Sequence, residues 1–123
     1  MRHKKRERKL GRTWEHRKAL LRNLAKSLVE QERIKTTEAK AKELRRVADR
    51  LVNYGLQDTV HARRNAYKLL ENRTLVKKLF EEIAPRFQEV QGGYTRVVKT
   101  PYPRKGDGTY LAIVEFSRNS QQE

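Results

Sequence analysis

The sequence predicts an α+β domain carried behind an extended basic arm. Three observations lead there. Apolar residues recur at helical spacing from about residue 14 to residue 84. After Gly92-Gly93 the spacing changes to the alternation of strands. The first twelve residues, MRHKKRERKLGR, hold seven Lys/Arg and, besides Met1, a single large aliphatic side chain, Leu10. Helices that precede strands, rather than alternating with them, indicate α+β and not a wound parallel sheet. A length of 123 residues suits one domain. The expected division is an arm over 1–12, one globular domain over 13–116 and a polar tail over 117–123.

The arm cannot bury enough apolar surface to offset the entropy of ordering it, so it is expected to be extended and disordered when free. It is not expected to be a secretory signal, because no apolar stretch follows its charges. Thr13 offers a cap for a first helix over about 14–31, with Leu21, Leu24, Ala25 and Leu28 on one face. Lys18, Arg22 and Lys26 form a basic ladder on another face. Arg33 to Thr37 is partly β-branched and reads as a short strand. Thr37 then caps a second helix, about 38–54, which is expected to stop near Gly55. Its apolar stripe is Ala41, Leu44, Ala48 and Leu51, and Lys42, Arg46 and Arg50 make a second ladder. Asp58 or Thr59 caps a third helix, about 59–71, with Ala62, Ala66, Leu69 and Leu70 inward. Thr74 is expected to cap a fourth, about 75–84, ended by Pro85. Residues 94–100 and 109–116 read as an antiparallel hairpin. Its loop, Pro101 to Gly108, is rich in turn formers and carries Arg104 and Lys105. The hairpin and the strand near 33–37 would make a small sheet.

Charge narrows the function. Lys and Arg number 30 against 15 Asp and Glu, a formal net charge of +15. Ten of those cations, against Glu7 and Glu15, lie in residues 1–22. A domain so charged repels itself and suits a polyanionic partner. The absence of cysteine excludes a disulfide framework and thiol chemistry. No stretch approaches the roughly 18 apolar residues of a membrane helix.

Little points to catalysis. His3, His16 and His61 form no H-x-x-x-H pair, so no metal ligand set is expected. Glu81 and Glu82 are adjacent on a helix and point about 100° apart, which precludes a facing carboxylate pair. No phosphate-binding glycine motif is present. Gly92-Gly93 fits either a close approach to phosphate or a helix-to-strand turn. Trp14 fits either a base-stacking surface residue or a staple between arm and first helix. Tyr102, beside Arg104 and Lys105, is a further stacking candidate. The arm, two basic ladders and basic loop together indicate binding to folded RNA by shape and phosphate, with no cofactor and no small-molecule substrate.

The residues themselves show a resemblance. Met1-Arg2-His3, Lys9-Leu10-x-Arg12, His16-Arg17-Lys18-Ala19 and Arg22-Asn23-Leu24 occur in order. Glu32-Arg33-Ile34-x-Thr36-Thr37 and Lys40-Ala41-Lys42-Glu43-Leu44-Arg45 follow. Leu79-Phe80, Pro85-Arg86-Phe87, Gly92-Gly93-Tyr94-Thr95-Arg96, Gly106-Asp107 and Glu115 complete the series. Over residues 1–116 this resembles the bacterial large-subunit ribosomal protein family numbered seventeen, the bL17 family. The resemblance implies a non-catalytic structural constituent of the large (50S) subunit in the cytoplasm, bound to 23S rRNA and beside other large-subunit proteins. Carried over by position, the RNA-binding set is Arg2, His3, Lys5, Arg8, Lys9, Arg12, His16, Arg17, Lys18 and Arg22. Lys42, Arg45, Arg46, Tyr94 and Arg96 extend it, and the loop adds Arg104 and Lys105. Glu7 departs from the family pattern by placing an acid inside the arm. The competing reading is a free-standing nucleic-acid-binding protein of the nucleoid or RNA-chaperone type.

Overall fold

A computed structural model of the chain describes residues 14–103, 105–106 and 108–118. The expected cap at Thr13 lies outside them. So do the arm residues Arg2, His3, Lys5, Arg8, Lys9 and Arg12, as well as Arg104 and the side chain of Tyr102. The described order is α1 (Trp14–Gln31), β1 (Arg33–Thr37), α2 (Glu38–Gln57), α3 (Val60–Leu70), α4 (Arg73–Lys78), β2 (Thr95–Pro103) and β3 (Tyr110–Phe116). This is the α+β arrangement expected.

The strands form one antiparallel sheet in the order β1-β3-β2. β3 is central, with Ile34 and Val97 flanking Val114 on its two sides. Alternation puts Ala112, Val114 and Phe116 on the inner face, and all three are fully buried there. α1, α2 and α3 supply the other side of the core. Leu28, Leu44, Leu51 and Leu70 are buried among them, at roughly 1.5–3 kcal/mol per large side chain. Phe87, Tyr94 and Phe116 close the core as an aromatic group, the first two edge-to-face at 5.3 Å between centroids.

The caps decide where the helices begin. The Thr37 hydroxyl accepts the Lys40 N–H at 3.5 Å, and the Thr59 hydroxyl accepts that of Ala62 at 3.0 Å. α2, however, does not stop at Gly55. It runs to Gln57 and is closed by Asp58 in the left-handed region (φ 50°), whose N–H donates to the Tyr54 carbonyl. Gly55 is glycine for a different reason: a Cβ there would overlap the Cβ of Ala84. The fourth helix also differs from expectation. Asn72, not Thr74, caps it, its Oδ1 accepting the Leu75 N–H at 3.1 Å. It is α-helical only to Lys78, then widens into a π turn over Leu79–Ile83 and tightens into a 3-10 turn over Ala84–Phe87. Pro85 has no N–H to continue the α ladder, so the backbone changes its hydrogen-bond spacing there. Gly92 and Gly93 both take positive φ (81° and 67°) in the turn that leads into β2.

Candidate nucleic-acid interface

The two basic ladders are carried by packed helices, and the packing brings them together. On α1 the inner stripe of Leu21, Ala25 and Leu28 fixes the helix roll, which leaves Lys18 and Arg22 beside α2. On α2 the stripe of Ala41, Leu44, Ala48 and Leu51 does the same for Arg46 and Arg50. α3 adds Lys68. These five cations surround a cleft of about 630 Å³ at the corner of the three helices. Its apolar floor is Leu21, Val47 and Leu69, and Trp14 stands at one wall. The Trp14 ring is 43% exposed, with the Arg17 guanidinium 4.7 Å and the Lys18 ammonium 5.0 Å from its centroid. Among the described residues, Glu43 is the one acid lining this cleft. It is buried, and its Oε2 lies 3.9 Å from Arg46.

The cations differ in how far they are already engaged. Lys26 of the first ladder meets Glu71 at the end of α3 at 3.2 Å, and Arg22 lies 3.9 Å from the same carboxylate. Lys42 pairs with Glu38 at 3.1 Å, and Glu38 also takes Lys99 at 3.3 Å. The Lys42 and Lys99 hydrogen bonds hold the Glu38 carboxyl below its ordinary pKa. Among the described residues, no acid pairs with Arg50 or Lys68. Arg45 and Arg46 are exposed on α2, and His16 is exposed on α1. Arg96 is exposed on the outer face of the sheet, where it meets Glu115 at 2.9 Å across from Arg33. Lys105 is exposed in the hairpin loop.

Two expected contact residues sit differently. Arg17 is only 2% exposed, because it lies one turn before Leu21 on the inward stripe of α1. Tyr94 is 4% exposed: its ring packs on Phe87 and its hydroxyl donates to Asn53 Oδ1 at 2.9 Å. Both side chains are buried in this structure. Conversely, Arg50 and Lys68 were absent from the expected contact set and belong to the cleft. Arg50 was legible as a ladder member. Lys68 had no signal beyond its charge, since only helix crossing brings it to the other two helices.

Asp49 of α2 is half-buried. Burial pushes its carboxyl above the usual value, offset in part by the Tyr94 backbone N–H and by Arg45. It faces the start of β2, away from the cleft, and ties α2 to the sheet. Among the described residues no group of three or more His, Asp or Glu is placed to hold a metal, and no helix is long and apolar enough to cross a membrane.

A family model described as Ribosomal protein L17 matches residues 20–117, from the middle of α1 to the end of β3. The chain belongs to the ribosomal protein L17 family. Three relatives are each named "Large ribosomal subunit protein bL17". That of Nitratidesulfovibrio vulgaris is 58% identical over 118 residues, covering 96% of this chain and 89% of its own. That of Fusobacterium nucleatum is 50% identical over 116 residues, covering 94% and 99%. That of Caldanaerobacter subterraneus is 49% identical over 109 residues, covering 89% and 96%. The L17 match therefore takes in α1 from Leu20 onward, all of α2 and α3, the Thr37 and Thr59 caps and the whole sheet. Trp14 and Lys18 lie just before the stretch matched by the family model.

Proposed function

We propose that this protein is a structural constituent of the bacterial large ribosomal subunit, non-catalytic, working in the cytoplasm as part of the ribosome. Its partners are 23S rRNA and the large-subunit proteins beside it. The arm over 1–12 and the exposed cations of α1 and α2 form the RNA-binding surface. The hairpin loop, with Arg104 and Lys105, and Arg96 of β2 extend it. The observation that carries this reading is the meeting of two cationic helix faces in one place, on a chain of the L17 family. Cations concentrated on adjoining helices gain from counterion release on contact with a phosphate backbone, whatever its sequence. Guanidinium groups add bidentate phosphate contacts.

The test is sedimentation. The tagged full chain is expected to travel with large subunits through a high-salt wash, and recovery only as free protein would overturn the proposal. Competition at matched salt separates it from a nucleoid or RNA-chaperone protein. Large-subunit rRNA should displace duplex DNA, and equal affinity for the two would favour the free-standing protein.

A further inference from the structure

The cleft between α1, α2 and α3 has a chemistry that a phosphate-gripping face alone does not require. Its rim is cationic: Lys18, Arg22, Arg46, Arg50 and Lys68. Its floor is apolar: Leu21, Val47 and Leu69. An aromatic ring forms part of the wall, and a buried carboxylate, Glu43, lies within the lining. A helix face that only meets the outside of a duplex needs the rim and nothing else. We infer that this cleft receives one unpaired nucleotide turned out of an RNA strand, base inward and backbone on the rim. The inference rests on the RNA-binding reading above and specifies what that site holds.

Four physical arguments support this occupant. At about 630 Å³ the cleft falls in the range of sites that enclose small-molecule-sized groups. The polarity is radial. Phosphate is attracted to the rim, while the apolar floor of Leu21, Val47 and Leu69 favours a base over an anion in the interior. Unstacked bases are recognised in RNA by aromatic and guanidinium surfaces, and the exposed Trp14 ring and Arg46 and Arg50 supply both kinds. A continuous duplex is excluded by shape, because its bases are not available to a concave site.

The chain contains a single tryptophan, and it is Trp14. All tryptophan emission therefore reports on this cleft. The full chain is titrated with a single-stranded RNA of about six nucleotides and, separately, with a blunt RNA duplex of equal charge. Single strands are expected to quench Trp14 saturably, and the duplex to bind without comparable quenching. The double variant Arg50→Ala, Lys68→Ala is expected to lose about tenfold or more in single-strand affinity and less than about threefold for the duplex. Its thermal midpoint should not change. Removing two cations elsewhere, Arg73→Ala with Lys77→Ala, should lower both affinities by the same small factor. Trp14→Ala should weaken single-strand binding by about fivefold or more, the scale of one lost base-aromatic stack. Equal quenching by duplex and single strand would overturn the inference, as would equal losses on both in the cleft variant. Quenching that emerges only when residues 2–12 are deleted would also overturn it, by showing that the arm fills the cleft. Failure of these tests with binding to large-subunit rRNA intact removes the inference alone. Loss of all binding to that rRNA removes both readings.

Discussion

Arg86→Ala probes the point where four elements are joined. Glu32 closes α1 in the left-handed region (φ 66°), its N–H donating to the Leu28 carbonyl at 2.6 Å. Its own carbonyl accepts the Phe116 N–H at 3.3 Å, which ties the end of β3 to the end of α1. Its carboxylate is held by Arg86 through both oxygens, at 2.6 Å and 3.3 Å, and Lys78 lies 3.5 Å away. The two side chains of the Arg86 pair are 12% and 9% exposed, so solvent screens the interaction little. Breaking a buried pair by removing one partner costs about 3–5 kcal/mol. Lys78 remains here to share the charge, which sets the expectation at about 2–3 kcal/mol. A left-handed non-glycine residue already costs about 1 kcal/mol, so the bent end of α1 depends on this clamp. For a chain of this size each kcal/mol moves the midpoint by about 4 °C, so Arg86→Ala should lower it by about 8–12 °C in circular dichroism melts. A cycle with Glu32→Gln should return a coupling of about 2 kcal/mol. A fall under about 3 °C, or additive single and double variants, would refute the reasoning.

Asp49→Asn tests the half-buried carboxyl. Because burial raises its folded pKa, the native state binds that proton more tightly than the unfolded chain does, so ionised Asp49 destabilises the fold above its folded pKa. The variant should melt higher at pH 7, and its advantage should shrink as pH falls through the folded value toward 3.8; a pH-independent difference would contradict this. Gly55→Ala gains about 1 kcal/mol of helix propensity but drives its Cβ into that of Ala84. A net loss of about 1–3 kcal/mol is expected by denaturant unfolding, recovered in part by adding Ala84→Gly, whereas stabilisation by Gly55→Ala would contradict the packing. Tyr94→Phe removes the hydroxyl bonded to Asn53 and should cost about 0.5–1.5 kcal/mol, leaving rRNA affinity within about twofold in filter binding. A large loss of affinity without loss of stability would instead show Tyr94 contacting RNA.

The legible parts of the fold were those in which a local signal has one meaning. Thr37 precedes an apolar stripe of helical period and is the cap, and of Asp58 and Thr59 it is Thr59 that caps α3. The alternation of β3 gave its buried face directly. Gly55 was misread because a glycine at a helix end and one at a helix crossing look alike in sequence; only Ala84 across the contact distinguishes them. Helix four is capped by Asn72 rather than by Thr74, the cap expected from the sequence, and Pro85 announces an end without specifying the π turn before it. Arg17 carried a signal that charge obscured, since it lies four residues before Leu21 and eight before Ala25. Tyr94 sits one residue before β2 begins, where strand alternation does not govern its direction. Each ladder of the interface was visible by itself, but their meeting was not, because it depends on how α1, α2 and α3 cross.

If cations of the arm and of the helix faces grip large-subunit rRNA by its phosphates, binding must weaken steeply with salt. The salt dependence of binding tests this most directly. Each phosphate contact contributes about 0.7–0.9 to the slope of log Kobs against log salt concentration. Deleting residues 2–12, which hold seven Lys/Arg, should reduce that slope for 23S rRNA by several units, roughly 3–6, and leave the melting midpoint of the domain nearly unchanged. A slope that stays the same on deletion, or a domain that unfolds without the arm, would contradict the account.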